Sequence, residues 1–176
     1  MKVPAEVVAY DPGWPGLFRR LAERVDAALA GVAHVTEHVG STAVPGLDAK
    51  PIIDLDVVVP DDLTAGAAVR ALAAAGWRHE GDLGIPGREA FLPPPGLPYH
   101  HLYMVVAGSA PYRDHIDLRD FLRAHPLQAT GYGRLKRRLA AHLGTDRRAY
   151  ADGKSEMIQD LLRQARALQP PEEQTA

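Results

Sequence analysis

The sequence predicts an α+β fold, in which a mixed sheet is built from the first 107 residues and the last third of the chain is helical. Short apolar runs, bounded by Gly and Pro and rich in β-branched residues, alternate with helical repeats up to Ala107. From Tyr112 onward, apolar residues recur at helical spacing. Strands followed by a block of helices are typical of the α+β class.

The composition is that of an ordinary globular domain. The 176 residues are 46% hydrophobic and 24% charged, enough to bury a sizeable core. We predict a single domain over 1–168 and a short polar, disordered tail over 169–176.

Charge and residue types exclude several classes of function. A net charge of -2 argues against broad nucleic-acid binding. The absence of cysteine leaves only oxygen and imidazole as metal ligands. No apolar run approaches the roughly 20 residues of a membrane span, and the N-terminus lacks an apolar signal core. A cytoplasmic protein that does not bind membranes is expected, and its oligomeric state stays open.

Turn formers and apolar spacing give the elements in order. An extended segment over 7–10 and an Asp-Pro-Gly turn precede a helix over 14–30, with Pro15 in its first turn and Gly31 after its last. The remaining predicted elements of the sheet region are strands over 32–39, 52–59, 77–82 and 99–107, a single helical turn within 42–48, a helix over 63–75, and an irregular Gly/Pro segment containing Arg88, Glu89 and Phe91. The predicted C-terminal helices cover 112–124, 126–142 and 146–168.

Two carboxylates, Asp54 and Asp56, stand at i and i+2 on the predicted strand over 52–59. Alternate side chains of a strand share a face, so both acids point the same way. Unpaired and buried, they would cost roughly several kcal/mol per ion. A divalent cation removes that penalty, which predicts a metal site with these two acids as catalytic ligands. The alternative is a structural role, with both acids paired to Lys50 or an arginine.

A Gly-Ser turn lies upstream of the acids. Gly40 and Ser41 offer small residues, a tight backbone and a hydroxyl, as a turn that faces phosphate needs. The order Gly-Ser, twelve residues, Asp-Leu-Asp resembles the signature of the nucleotidyltransferase superfamily, whose fold is that of the DNA polymerase beta catalytic core. The resemblance implies that Gly40, Ser41 and Thr42 hold a triphosphate and that Asp54 and Asp56 bind Mg²⁺. An ordinary turn is the alternative.

Longer motifs resemble the GrpB family of bacterial proteins. These motifs are Tyr10-Asp11-Pro12-x-Trp14, the runs 38–46 and 49–57, His100-His101-Leu102, the run 119–126, Tyr132-x-x-Leu135-Lys136 and Lys154-Ser155. They span nearly the whole chain and imply the nucleotidyltransferase fold more firmly than any reaction.

The third carboxylate of the superfamily is missing from the strand over 99–107. That strand offers His100, His101 and Tyr103 instead. His101 shares a face with Tyr103 and is our candidate for a third metal ligand, which would move the preference from Mg²⁺ toward Mn²⁺ or Zn²⁺. The alternatives are that the transfer chemistry has been lost, or that Glu80 or Glu89 substitutes.

Other residues have two interpretations each. The candidates for holding an anionic substrate, all of them also typical of a solvated surface, are Lys50, Arg88, Lys136 and Lys154. His38 is either a hydrogen-bond partner of the turn or a core histidine. The arginines predicted on exposed helix faces are Arg119, Arg123, Arg137 and Arg138. Trp14 and Phe18 are predicted to lie in the core.

The leading hypothesis is a metal-dependent nucleotidyltransferase that binds a nucleoside triphosphate and a small acceptor. The second hypothesis is a non-catalytic module that keeps the same fold and either binds a nucleotide or another anion or acts like a chaperone. The missing third carboxylate favours it. A histidine-assisted hydrolase of phosphate esters is a third hypothesis, carried only by His100 and His101.

Overall fold

A computed structural model describes residues 6–140 and 147–168, together with all their side chains except those of 147–152. Within this part of the chain, five strands form one mixed sheet and five α-helices pack on it. The strands are β1 (Val35–Val39), β2 (Ile53–Val59), β3 (Arg78–Gly81), β4 (Arg88–Leu92) and β5 (His100–Val106). The helices are α1 (Trp14–Ala28), α2 (Asp62–Ala74), α3 (Ala110–Ala124), α4 (Pro126–Ala140) and α5 (Arg147–Ala167). The α+β class is confirmed, while the predicted tail over 169–176 lies outside the described residues.

The sheet has the order β1-β2-β5-β4-β3, with β2 parallel to β5 and the other neighbours antiparallel. Asp54 stands opposite His101, and Asp56 opposite Tyr103. Because residues in register share a face, these four side chains lie on the same side of the sheet. We call it the site face.

Strand β4 corrects the prediction of an irregular segment around Arg88. The five residues of β4 lie between segments rich in Gly and Pro, and only the adjacent Ala90 and Phe91 are buried. No alternation of apolar and polar residues marks them as a strand. Pairing with β3 and β5 determines their conformation, as tertiary context often does for short strands.

Helices cover both faces of the sheet. On the face opposite the site, α1 and α2 pack Leu21, Val25 and Leu72 against Leu55 and Leu102 of the sheet. Trp14 is buried in this core as predicted, and Phe18 packs against it half-buried.

A second core joins the three C-terminal helices to the loop after β1. Tyr132 of α4 and Leu161 of α5 are buried there with Val44 and Leu47. Helix α3 also contacts β1 and β5, so the C-terminal helices form a roof over the site face. None of the described helices is both long and apolar enough to cross a membrane.

Candidate functional site

A cleft of about 290 Å³ lies between the site face and the C-terminal helices. The polar and charged side chains that line it, with the turn glycine, are Gly40, Ser41, Lys50, Asp54, Arg88, His101, Tyr103, His115, Arg119, Tyr132, Lys136 and Lys154. Gly40 and Ser41 of the predicted phosphate turn, two of the three predicted metal ligands (Asp54 and His101) and all the predicted anion-binding cations therefore meet in one cavity.

The Gly-Ser turn fits tightly against Asp54. Gly40 has a φ of 70°, and a Cβ added there would overlap the Asp54 carboxylate. Only glycine meets both conditions without strain. A short 3-10 turn over Ser41–Ala43 follows. The buried Thr42 hydroxyl donates to the Ile52 carbonyl at 3.4 Å, so it holds the turn from below.

His38 supports the same turn. Its Nε2 lies 3.1 Å from Thr42 Oγ1, and its ring stacks on Phe18 with 4.5 Å between centroids. Burial lowers the pKa of His38 to about 4, despite the raising effect of Asp54. The ring is neutral near pH 7 and combines both predicted roles, core packing and hydrogen bonding to the turn.

Each acid of the Asp-x-Asp pair is hydrogen-bonded to a histidine. His101 Nδ1 donates to Asp54 Oδ1 at 2.7 Å, and His115 Nδ1 donates to Asp56 Oδ2 at 2.7 Å. His101 thus faces the acids, as the strand register predicted. His100 lies on the opposite side, buried, with the Trp77 indole N–H donating to its Nε2 at 3.5 Å.

The Asp56–His115 pair retains a proton to higher pH than isolated groups would. Burial raises the pKa of the Asp56 carboxyl, against the lowering effect of the His115 hydrogen bond. Burial acts to lower the pKa of His115, but the hydrogen bond and charge of Asp56 outweigh it, so that pKa is also raised. Both shifts favour the protonated pair.

The acids offer oxygens that fit a divalent cation. Asp56 Oδ1 is buried and has no hydrogen-bond partner among the described residues. A hard cation would satisfy this oxygen and complete its shell with water and phosphate oxygens, as Mg²⁺ prefers. No group of three or more His, Asp or Glu within the described chain is already spaced to hold a metal ion. The role of His101 as a third ligand therefore stays a prediction.

Neither Glu80 nor Glu89 is among the described residues that line the cleft. Glu80 pairs with Arg78. Glu89 stands in register with Met104, on the face opposite the site, and pairs with His79 at 2.6 Å. Neither is positioned to replace the missing carboxylate.

Lys136 is the most deeply buried cation of the cleft. It is 3% exposed, and its Nζ donates to Ser41 Oγ at 2.8 Å. The ammonium also lies 4.4 Å from the centre of the Tyr132 ring. Burial, and then the charge of Lys154, lower the pKa of Lys136 to about 7. An anionic ligand at Ser41 would restore the full charge of this lysine.

Arg88 marks the opposite side of the cleft. Its guanidinium lies 4.3 Å from the centre of the Tyr103 ring, a cation–π contact. Its Nε is buried and has no hydrogen-bond partner in the described part of the chain. Burial raises the pKa of Tyr103 to about 12, so this phenol is neutral.

Helix α3 supplies the site residues that the sequence interpretation missed. Arg119 was predicted on an exposed face, yet its side chain is only 11% exposed. It donates to Glu37 Oε2 at 2.8 Å and to the His38 carbonyl at 3.2 Å. Arg123 donates to the Ala43 carbonyl at 2.9 Å. The two arginines therefore hold the turn on both sides.

A signal for this helix face was present in the sequence. His115, Leu118, Arg119 and Leu122 follow the spacing i, i+3, i+4, i+7. The two leucines mark the inward stripe, and the polar residues on it point to a buried site. Arg137 and Arg138 do lie on an exposed face of α4, where Arg137 pairs with Asp48.

The fold has solved counterparts among nucleotidyltransferases. The poly(U) polymerase Cid1, solved with MgGTP bound, matches with a TM-score of 0.54 at 16% identity, over 77% of this chain and 43% of that chain. At such an identity the match shows the fold alone. The chain is thus of the nucleotidyltransferase-like fold class.

Within that class, the chain belongs to the GrpB family, whose profile, described as GrpB protein, matches residues 4–164. The crystal structure of the conserved protein GrpB from Enterococcus faecalis is 30% identical, with a TM-score of 0.79, over 90% of this chain and 96% of that chain. A UPF0157 protein of Halalkalibacterium halodurans is 37% identical over 164 residues, which are 92% of this chain and 82% of that protein. The resemblance carried by the sequence motifs is confirmed.

Proposed function

We propose that this protein binds a nucleoside triphosphate together with a divalent cation in the cleft and transfers a nucleotidyl group to a small acceptor. One observation carries the proposal: Asp54 of the acid pair lies directly against the Gly-Ser turn, and a buried lysine donates to the turn's serine. This places groups suited to a cation beside groups suited to a phosphate chain.

The roles of the chain's own residues follow from their positions. Ser41, Lys136 and Lys154 would bind the terminal phosphates, while Arg119 keeps the turn in place. Asp54 and Asp56 would hold the cation. When bound, Mg²⁺ would neutralise charge that develops on the phosphates during transfer.

Titration calorimetry with ATP, GTP, CTP and UTP in the presence of Mg²⁺ tests the proposal. We expect at least one triphosphate to bind, and binding to weaken at least tenfold in Asp54→Asn and Asp56→Asn. Asp62→Asn, at the exposed start of α2, is the matched control and should bind normally. Absence of binding by the intact protein, or binding that neither site variant changes, would contradict the proposal.

A binding module without catalysis is the second candidate. It is favoured by the histidine partners of both acids and by the lack of a third carboxylate in the described lining of the cleft. Such a module would bind a nucleotide or another polyanion without turnover. Pyrophosphate release from a bound triphosphate, measured with a coupled phosphatase, separates the two functions.

A further inference from the structure

We infer that His101 is the nucleophile of the proposed transfer: its Nε2 takes the nucleotidyl group from the triphosphate before the acceptor receives it. This inference rests on the proposed function, and it names a covalent step that the function alone does not require.

The hydrogen bond to Asp54 sets the tautomer of His101. A carboxylate only accepts, so the ring proton lies on Nδ1, which is 2.7 Å from Asp54 Oδ1. The lone pair is therefore on Nε2, the nitrogen that makes no hydrogen bond to the described residues. The side chain is 35% exposed and lines the cleft. This is the arrangement of an activated nucleophile, oriented by a third group.

Position distinguishes His101 from His115. The partner of His101 is Asp54, which touches Gly40 of the phosphate turn. The partner of His115 is Asp56, which is fully buried. The ring of Tyr103 contacts both imidazoles, with centroid distances of 6.1 Å to His101 and 5.9 Å to His115. His101 is thus the imidazole beside the phosphate-binding groups.

In the first half of the transfer no proton moves, so this step needs no general acid or base. The Nε2 lone pair attacks the α-phosphorus, and a P–N bond forms while the bond from that phosphorus to the bridging oxygen of the β-phosphate breaks. Pyrophosphate leaves, and the positive charge on the imidazole is stabilised by Asp54. In the second half an acceptor hydroxyl attacks the phosphorus, the P–N electrons return to Nε2, and the hydroxyl proton passes to water.

This route explains the departure from the superfamily pattern. In the first half of the transfer the attacking group is a neutral imidazole nitrogen, so no carboxylate is needed to remove a proton from it. The strand that lacks an Asp or Glu, β5, is the one that carries His101.

Covalent labelling tests the inference. The intact protein is incubated with each of the four α-³²P-labelled triphosphates, Mg²⁺ and inorganic pyrophosphatase, then separated under denaturing conditions. We expect an acid-labile, alkali-stable label at His101, and exchange of ³²P-pyrophosphate into the triphosphate when pyrophosphatase is omitted. His101→Asn and His101→Gln should abolish both signals while still binding nucleotide in calorimetry. His79→Asn is the matched control, because His79 pairs with Glu89 and is not among the described residues that line the cleft; it should keep labelling within about twofold of the native protein.

The outcomes separate this inference from the proposed function. Nucleotide binding without label or exchange would overturn the nucleophile and leave the binding site standing. Label from a γ-³²P-triphosphate, or label on another residue, would overturn it equally. Absence of all nucleotide binding would overturn both proposals.

Discussion

Gly40 shows how one residue can make the site depend on backbone shape. It combines a φ of 70° with a position where an added Cβ would overlap Asp54 Oδ2. We expect Gly40→Ala to lose roughly 1–3 kcal/mol of stability from the backbone conformation alone, because φ 70° with ψ −169° is a region adopted almost only by glycine. We also expect at least a tenfold loss of nucleotide affinity, because the new methyl group displaces Asp54. Denaturant unfolding and calorimetry measure the two effects.

Gly46 provides the matched control for this substitution. Its φ is 77°, and nothing lies within 4 Å of an added Cβ. Gly46→Ala should therefore show a similar loss of stability with unchanged nucleotide binding. Equal binding defects in the two variants would mean that contact with Asp54 is not the cause.

Lys136 gives the site a dependence of stability on pH. Its pKa is lowered from 10.5 to about 7 by burial, and secondarily by Lys154. Below pH 7 the native state bears the full cost of a buried charge. Between pH 7 and 10.5 the unfolded chain binds more protons than the native chain, so this residue makes stability rise with pH.

Lys136→Met should remove that cost. We expect the variant to be more stable than the native protein at pH 6 by roughly 2–4 kcal/mol, with the difference shrinking toward pH 10. Its nucleotide affinity should fall at least tenfold. Urea unfolding at both pH values measures the stability. The exposed Arg138→Met on the same helix is the control, and a Lys136→Met protein less stable than native at pH 6 would contradict the argument.

At the scale of elements, α3 positions the turn and one acid together. Its His115, Arg119 and Arg123 lie on successive turns and contact Asp56, the His38 carbonyl and the Ala43 carbonyl. A hydrogen bond from a charged donor contributes about 1.5–3 kcal/mol. We expect Arg119→Met to weaken nucleotide binding roughly tenfold, since the turn loses its anchor.

Calorimetry checks this expectation against a control helix. Arg163 lies on α5, its side chain is 70% exposed, and it pairs only locally with Asp160 among the described residues. Arg163→Met should leave affinity unchanged. If Arg119→Met does the same, the turn keeps its shape without α3.

The sequence predicted the structure correctly where a local residue pattern was typical of a single kind of secondary structure. The i, i+2 acids on a β-branched run located β2 and its site face, and the missing acid on β5 drew attention to His101. The sequence did not predict β4, because its buried residues Ala90 and Phe91 are adjacent and do not alternate with polar residues. The flanking Gly and Pro also suggest a loop. The sequence also failed for Arg119, because charged residues on helices are usually solvated and the pairing of α3 with β1 is a long-range contact.

At the scale of the whole molecule, one core lies against the sheet and a second lies among the C-terminal helices. Leu72 of α2 is fully buried in the core against the sheet, and Leu161 is buried among the C-terminal helices. Replacing either by alanine should cost about 2–5 kcal/mol. Because α3, which contributes to the second core, also contacts β1 and β5, we expect each variant to shift one common transition.

Unfolding followed by far-ultraviolet circular dichroism and by tryptophan fluorescence measures this coupling. Trp14 and Trp77 both report on the first core. Fluorescence and dichroism curves that move together in Leu161→Ala would show one cooperative unit. A fluorescence midpoint that stays at the native value would instead reveal two domains.

The floor of the cleft comes from strands before Val106, whereas Lys136 and Lys154 come from helices after it. A growing chain therefore completes the strands that carry the two acids before it acquires Lys136 and Lys154, so the proposed capture of a polyanion must wait until α5 has been synthesised. The same division would let related chains change the anion bound in the proposed site by altering the C-terminal helices, while the strands that carry Asp54 and Asp56 stay unchanged.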